Sequence, residues 1–176
     1  FSNRFKLQCR YQAKQKQYNF TYNKERLLER RITQKLRTAL VWTWSHFDCN
    51  VQADVVNAYR QSGQSAWGAM LSTRVGWKPL TAFQLKAFTS LFMTDDYDSR
   101  VYAYEPQLLH TMSFSSFFNQ GWRGVLLVNW QCCKLLTLSL RYGALKYFNR
   151  STQSSGTETI HSSWKNDVSL QVIFKL

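Results

Sequence analysis

The segment "LTLSLRYGALKYF", Leu136 to Phe148, decides the fold class because its side chains alternate with a period of two. Its apolar residues share one parity and its polar residues the other: Leu136, Leu138, Leu140 and Tyr142 against Thr137, Ser139, Arg141 and Gly143. This alternation is typical of a β-strand with one apolar and one polar face. The apolar face then either packs into the core of a soluble protein or contacts lipid in an outer-membrane β-barrel.

The same alternation recurs along the chain and predicts eight antiparallel strands. Each is about ten residues long, which is the length that a tilted strand needs to cross a bilayer. The predicted strands are Asn3–Lys14, Thr33–Ser45, Val51–Arg60, Trp67–Lys78, Ala82–Met93, Trp122–Gln131, Leu135–Phe148 and Asp167–Leu176.

The predicted connections alternate between short and long. The short ones are Ser45–Val51, Lys78–Ala82 and Gln131–Leu135, and the long ones are Gln15–Ile32, Thr94–Gly121 and Asn149–Trp164, with Gln61–Ala66 as the exception. We expect one helical turn at Glu25–Arg31 and short strands within Thr94–Gly121. An even strand number with this alternation is typical of a bacterial outer-membrane barrel whose short turns and termini lie on the periplasmic side.

Length and composition fit one β-rich domain over residues 1–176. The 176 residues carry a net charge of +13, which favours an anionic partner such as nucleic acid, lipopolysaccharide or acidic lipid, or else serves only solubility. No apolar run is long enough for a transmembrane helix. The four cysteines match neither zinc nor redox spacing. Because the chain begins at Phe1 with no methionine or leader, we expect it to be the C-terminal part of a longer protein.

Charge on the predicted strands falls almost entirely on the polar parity, where only Asp54 and Asp167 are acidic. An arginine or lysine on a lipid face costs about 2–4 kcal/mol at the bilayer midplane, so a membrane barrel requires such segregation. Phe88 and Phe92 interrupt the polar parity. The basic residues predicted to face the lumen are Arg4, Lys6, Arg10, Lys35, Arg37, Arg60, Arg74, Lys86, Arg123 and Arg141.

Two interpretations of these basic residues remain. They could line a lumen that attracts anions or a nucleic-acid strand. Alternatively, since eight strands enclose only enough room for side chains, the arginines would pair with Asp, Gln and Ser inside a plug.

Six tryptophans fall on the apolar parity, mostly near strand ends, where a membrane-interface aromatic girdle is expected. They are Trp42, Trp44, Trp67, Trp77, Trp122 and Trp130. The competing interpretation is a soluble basic β-barrel or sandwich, in which these rings are buried or stack on the bases of single-stranded nucleic acid.

The acidic stretch "DDYDSR" offers oxygen ligands at Asp95, Asp96 and Asp98. It lacks the glycine and the twelfth-position glutamate of a calcium-binding EF-hand loop, so we predict no metal and no cofactor, with Arg100 and its neighbours pairing these carboxylates instead.

An enzymatic function is not expected. His46, His110 and His161 are scattered, and His110 and Ser113 fall on opposite parities, whereas a hydrolase needs a nucleophile and base that converge. We therefore assign no catalytic residue.

Three segments of the C-terminal half resemble a known family: "TDDYDSRVYAYEPQLLHTMSFSSFFNQGWRG", "LLTLSLRYGALKYFNR" and "KNDVSLQVIFKL". Over Phe83–Leu176 the chain resembles the C-terminal outer-membrane β-barrel region of Bacteroidetes-type proteins that carry a helix-hairpin-helix domain. The resemblance implies a Gram-negative outer membrane and a link to DNA binding or uptake. The chain contains no helix-hairpin-helix segment and ends in Leu176 rather than an aromatic residue.

Together these features predict an all-β, antiparallel, up-and-down transmembrane β-barrel of about eight strands, or the last eight of a larger barrel. The predicted role is a membrane anchor or conduit in the bacterial outer membrane. Its expected partners are outer-membrane lipid, DNA or another anionic ligand, and the barrel-insertion machinery.

Overall fold

A computed structural model describes residues 4–22, 25–112, 114–150 and 162–175, and side chains 19–27 are outside this description. Ten strands and one 3-10 helix, Tyr97–Ser99, make up the described fold. The strands are β1 (Arg4–Tyr22), β2 (Glu25–Trp44), β3 (Phe47–Arg60), β4 (Ser65–Leu80), β5 (Phe83–Thr94), β6 (Val101–Ala103), β7 (Ser115–Phe117), β8 (Gln120–Gln131), β9 (Leu136–Tyr147) and β10 (Trp164–Phe174).

Eight of these strands form one antiparallel sheet in the order β1-β2-β3-β4-β5-β8-β9-β10, and β6 pairs with β7 in a separate two-stranded sheet. The all-β antiparallel class predicted from the sequence is therefore confirmed. In β9, Ser139 and Arg141 are buried while Leu140 and Tyr142 are 46% and 45% exposed. The polar parity of the opening segment thus points into the protein and the apolar parity points out.

The first hairpin is longer than the sequence predicted. The ladder between β1 and β2 continues from Arg4↔Thr43 through Gln15↔Ile32 to Tyr22↔Glu25, so the loop expected at Gln15–Ile32 and the helical turn at Glu25–Arg31 are both wrong. The charged residues in this stretch suggested a loop, but they continue the β1–β2 ladder because each pairs with a residue on the opposite strand.

Residues 95–112 and 114–119, here called the inner segment, lie between β5 and β8 in the chain and fold back over the sheet. They contain the 3-10 helix and the β6–β7 pair. The covered side of the sheet is called the inner face, and the other side is the outer face.

The apolar core lies between the inner face and the inner segment. It joins sheet residues of the polar parity to apolar residues of β6 and β7, and the Phe92 and Phe117 rings stack with centroids 4.8 Å apart. Phe88 and Phe92, which interrupt the polar parity in the sequence, are core residues. The buried cluster comprises Val56, Met70, Phe88, Phe92, Val101, Ala103, Phe117, Val125 and Tyr147.

The closed eight-stranded barrel expected from the sequence is not formed. β1 and β10 are the two edges of the sheet, and they do not pair with each other in the described part of the chain. An eight-stranded barrel has room only for its own side chains, so it could not also enclose the inner segment. The sheet is consequently open.

Candidate functional site: an apolar outer face and a charged inner face

The outer face of the sheet is apolar from one edge to the other. On the central strands Leu71 and Leu91 lie opposite each other and are each 53% exposed. No second layer covers this face in the described residues, so large aliphatic side chains remain exposed on every strand. Examples are Leu7, Leu36, Leu40, Val51, Val55, Leu71, Leu91, Met93, Leu126, Leu140, Val168, Leu170 and Val172.

Charge is nearly absent from the outer face. Among the described side chains that the pairing registers place there, only Arg30 and Lys146 are charged, and both lie toward the end of the sheet with the longer connections. Lys146 Nζ lies 4.9 Å from the Trp164 ring centroid, a cation–π contact. Among the described residues, the middle of this face therefore carries no charged side chain, and its polar groups are uncharged, such as the hydroxyls of Thr38, Thr73 and Thr89.

Tryptophans form two tiers on the outer face. Trp42, Trp44, Trp77 and Trp130 lie near the short turns at one end of the sheet, and Trp67, Trp122 and Trp164 lie near the other end. Trp67 and Trp77 are separated by about 33 Å along β4, and Trp122 and Trp130 by about 26 Å along β8, at about 3.3 Å per residue. Strands of outer-membrane barrels are tilted by about 35–45° from the barrel axis, and at that tilt the distance between the two tiers along the axis is about 18–27 Å.

One ring of the second tier is held flat against the sheet. Trp122 Nε1 donates a hydrogen bond to Thr89 Oγ1 at 2.8 Å. A Cβ at Gly124 would lie only 2.6 Å from the Trp122 ring, so a glycine is required for this close approach. The indole therefore keeps its polar atom satisfied while its ring stays on the apolar face.

A buried ion-pair network ties the inner segment to β8 and β9. Arg123 donates to both oxygens of Glu105, with Nε–Oε1 at 2.9 Å and Nη2–Oε2 at 3.0 Å. Arg141 Nη2 donates to Glu105 Oε2 at 2.7 Å. Both guanidinium groups also bind Asp167 on β10, and the Glu105 side chain is only 1% exposed. Two cations thus share two carboxylates.

A second ionic contact fixes the start of the inner segment. Asp98 pairs with Arg31 on β2 and with Arg60 on β3. Burial alone would raise the pKa of Asp98, but the hydrogen bonds and positive charges of Arg31 and Arg60 outweigh it and lower that pKa. Asp96 also closes a capping box with Ser99 around the 3-10 helix.

The third set of polar contacts lies on β2 to β4. Arg37 Nε donates to Asp54 Oδ1 at 2.5 Å, and Gln52 Nε2 donates to Asp54 Oδ2 at 2.6 Å. Arg74 donates to the Tyr104 carbonyl of the inner segment. These contacts leave more cations than carboxylates on this side of the inner face.

The ten basic residues predicted from parity all lie on the inner face by pairing register. Arg123 and Arg141 are buried, those of the middle strands are partly buried, and those of β1 are exposed. Several of these arginines pair with acidic residues, as the plug interpretation expects. A role of the ten residues in lining a lumen stays a prediction. The partly buried residues are Lys35, Arg37, Arg60, Arg74 and Lys86, and the exposed ones are Arg4, Lys6 and Arg10.

The acidic stretch behaves differently from the prediction in one respect. Arg100 does not pair with these carboxylates: its Nε donates to the Tyr102 hydroxyl at 2.6 Å and its Nη1 to the Tyr97 carbonyl at 2.9 Å. Arg31 and Arg60 lie directly opposite each other in the β2–β3 ladder, so both guanidinium groups reach the stretch. Across the described ranges, no group of three His, Cys, Asp or Glu side chains is arranged to hold a metal ion.

Several residues of these sites were missed from the sequence. Trp164 belongs to the second tryptophan tier but precedes the predicted start of the last strand. Glu105 sits in an aperiodic segment, where its only signal is that it is a lone acid beside Pro106. Arg31 was assigned to a loop, and the alternation of side chains gave no indication that it pairs with Asp98.

The remaining cysteine and histidine side chains that the structure describes do not converge on a common site. Cys9, Cys49, Cys132 and Cys133 are all free thiols, and the adjacent pair in the β8–β9 turn is exposed. His46 lies in the exposed β2–β3 turn, and His110 is exposed in the inner segment. His161 and Ser113, weighed earlier for catalysis, lie outside the described residues.

Within the described ranges there is no helix with the length and apolar character needed to cross a bilayer. The resemblance to helix-hairpin-helix outer-membrane proteins stays a prediction. No family model, no curated protein and no solved structure shows significant similarity to this chain.

Proposed function

We propose that this chain forms the wall of a bacterial outer-membrane β-barrel. The outer face contacts lipid, the two tryptophan tiers lie at the two membrane interfaces, and the inner segment fills the interior. The observation that carries this proposal is the spacing of the tiers, since their projected separation of about 18–27 Å brackets the ~25 Å apolar band of outer-membrane barrels.

The distribution of charge supports the same assignment. A sheet in water with this composition would bury its aliphatic face and expose its arginines. Here Arg123 and Arg141 are 7% exposed, while Leu71 and Leu91 are 53% exposed. Exposed apolar surface on this scale marks contact with a membrane or another apolar surface.

The soluble nucleic-acid-binding alternative receives less support. Proteins that bind single strands place cations and stacking aromatics along one groove. In this sheet the tryptophan tiers lie on the outer face, whereas the ten basic residues predicted from parity lie on the inner face and only Arg30 and Lys146 are charged on the outer face among the described side chains. A strand of nucleic acid could not contact both sets together.

In a membrane, the edges of the sheet need partners. Open sheet edges exposed to lipid are excluded because their backbone N–H and C=O groups would lose hydrogen bonds. The proposal therefore includes further strands that pair with β1 and β10, from other parts of a longer chain or from another copy. A barrel with more than eight strands would also have an interior wide enough to hold the inner segment.

The contents of the inner face favour an anchor over an open conduit. The inner segment is fixed by Asp98 near its start and by Glu105 further along, and Val101 and Ala103 between them belong to the apolar cluster. A link to DNA handling rests on the family resemblance and would be supplied by a helix-hairpin-helix module, with lipid and the barrel-insertion machinery as the other partners.

The test is refolding into vesicles of brominated and ordinary phosphatidylcholine, followed by tryptophan fluorescence. Membrane contact predicts strong quenching by the brominated lipid, together with a faster-running band on gels of unboiled samples if the barrel is closed. A chain that stays monodisperse in plain buffer and shows no quenching would overturn the proposal.

A matched pair of substitutions on one strand sharpens the test. Leu71→Arg places a charge in the middle of the outer face of β4, and Ser65→Arg places the same charge at the end of that face, about 20 Å away along the strand. In lipid, Leu71→Arg costs about 2–4 kcal/mol and Ser65→Arg about 0–1 kcal/mol. Equal small effects at both positions would mean that water covers this face.

A further inference from the structure

A cavity of about 320 Å³ lies between the β1–β3 part of the inner face and the inner segment. Its floor includes Arg10, Lys35 and Arg37, and its roof includes Tyr102, Tyr104 and Phe114. The lining does not include Glu105, Arg123, Arg141 or Asp167. The cavity is therefore separate from the network that holds Glu105.

Positive charge is unbalanced in this cavity. Arg10 and Arg37 are directly opposite in the β1–β2 ladder, and like charges in that position destabilise a sheet. Asp54 pairs with Arg37, whereas Arg10 and Lys35 have no carboxylate within ion-pair distance in the described part of the protein. Lys14, four residues further along β1 on the same face, likewise has no carboxylate within ion-pair distance among the described residues.

The contrast with the other side of the inner face is informative. Arg123 and Arg141 are also close together, but Glu105 and Asp167 neutralise them. The two arginines of the ion-pair network are thus matched by two carboxylates, whereas the three cations around the cavity are matched by Asp54 alone among the described residues. An anion would relieve the repulsion there and could accept hydrogen bonds from Arg10 and Lys35.

Aromatic rings accompany the cations. Tyr104 and Phe114 meet edge to face, with centroids 5.3 Å apart, and are 55% and 58% exposed. Lys35 Nζ lies 4.8 Å from the Tyr102 ring centroid. Exposed aromatic faces next to cations are the elements that bind a base together with its phosphate.

We propose that this cavity binds a nucleotide unit, with its phosphate on Arg10 and Lys35 and its base against Tyr104 and Phe114. The unit could be a free nucleotide or one residue of a single strand, since both present the same phosphate and base. The proposal does not depend on contact between the outer face and lipid.

The experiment is a binding titration of the full chain, folded in detergent, with AMP, with a short oligothymidylate and with inorganic phosphate. Arg10→Gln and Lys35→Gln should each weaken binding of AMP or oligothymidylate about tenfold, as expected for loss of a charge-assisted contact. Tyr104→Ala should weaken both nucleotide ligands at least about fivefold and leave phosphate binding unchanged.

Arg4→Gln is the matched control because Arg4 lies on the same strand and the same face but outside the cavity. Equal losses in Arg4→Gln and Arg10→Gln, or an absence of binding to all three ligands, would overturn the proposal. Comparable affinity for AMP and the oligonucleotide identifies a free nucleotide as the ligand, and much tighter binding of the oligonucleotide identifies a strand. Lipid quenching is measured separately, so failure of either proposal is recognised without the other.

Discussion

Replacement of Glu105 by glutamine should release the inner segment from β8 and β9. The substitution keeps the shape of the side chain but removes a charge that is 1% exposed and bonded to Arg123 and Arg141. Breaking a buried pair costs about 3–5 kcal/mol because it leaves an uncompensated charge. Asp167 still binds both arginines and is 34% exposed, which places the expected cost near the lower limit, about 3 kcal/mol.

A cost of about 3 kcal/mol raises the opening equilibrium of the inner segment roughly 150-fold. Hydrogen–deuterium exchange of peptides that span β6 and β7 measures this opening, since these strands pair only with each other in the described part. Asp96→Asn is the control because the Asp96 side chain is 53% exposed, its pair with Arg60 is worth about 0–1 kcal/mol, and asparagine retains a side-chain oxygen that caps the 3-10 helix. Unchanged protection in Glu105→Gln, or an equal loss in both variants, would refute the reasoning.

Two further predictions concern the start of the inner segment. Because its pKa in the folded protein lies below the ordinary value of 3.8, Asp98 adds stability above about pH 4, and this contribution is lost as the pH falls through the lowered pKa. Denaturant unfolding should therefore show Asp98→Asn to be less stable than the wild type at pH 7, with a gap that narrows below about pH 4; a constant gap would contradict this. Gly68→Ala should destabilise the protein by about 1–3 kcal/mol, because the added Cβ would overlap the Ser99 carbonyl oxygen. Thermal unfolding and faster exchange at residues 97–99 would report it, whereas full wild-type stability would show that the 3-10 helix does not pack on β4.

Much of the sheet was predictable because a period of two is a local property of the chain. In β9 the alternation of Leu138, Ser139, Leu140 and Arg141 predicts which side chains lie on the same face of the sheet. This prediction does not depend on what the face contacts. The burial of the polar parity agrees with it at each of these positions. The same property explains why all six tryptophans of the predicted girdle lie on one face.

The inner segment could not be predicted in the same way. Its contacts depend on residues far apart in sequence, such as Glu105 with Arg141 and Asp98 with Arg31, and no local period encodes them. The length of β1 and β2 was missed for a related reason. Pairing across the hairpin, rather than local composition, extends these strands through a charged stretch.

The gap between β1 and β10 implies an order of assembly. β5 and β8 are neighbours in the sheet, yet the whole inner segment lies between them in the chain, so this segment has to reach the inner face while the sheet is still open. If additional strands close the wall, as proposed above, the buried Glu105 and Phe117 would have no path back out. The inner segment would then be held by a kinetic barrier and not only by the few kcal/mol of its contacts with the inner face. The strands that pair last with β1 and β10 would determine how long it stays inside the barrel.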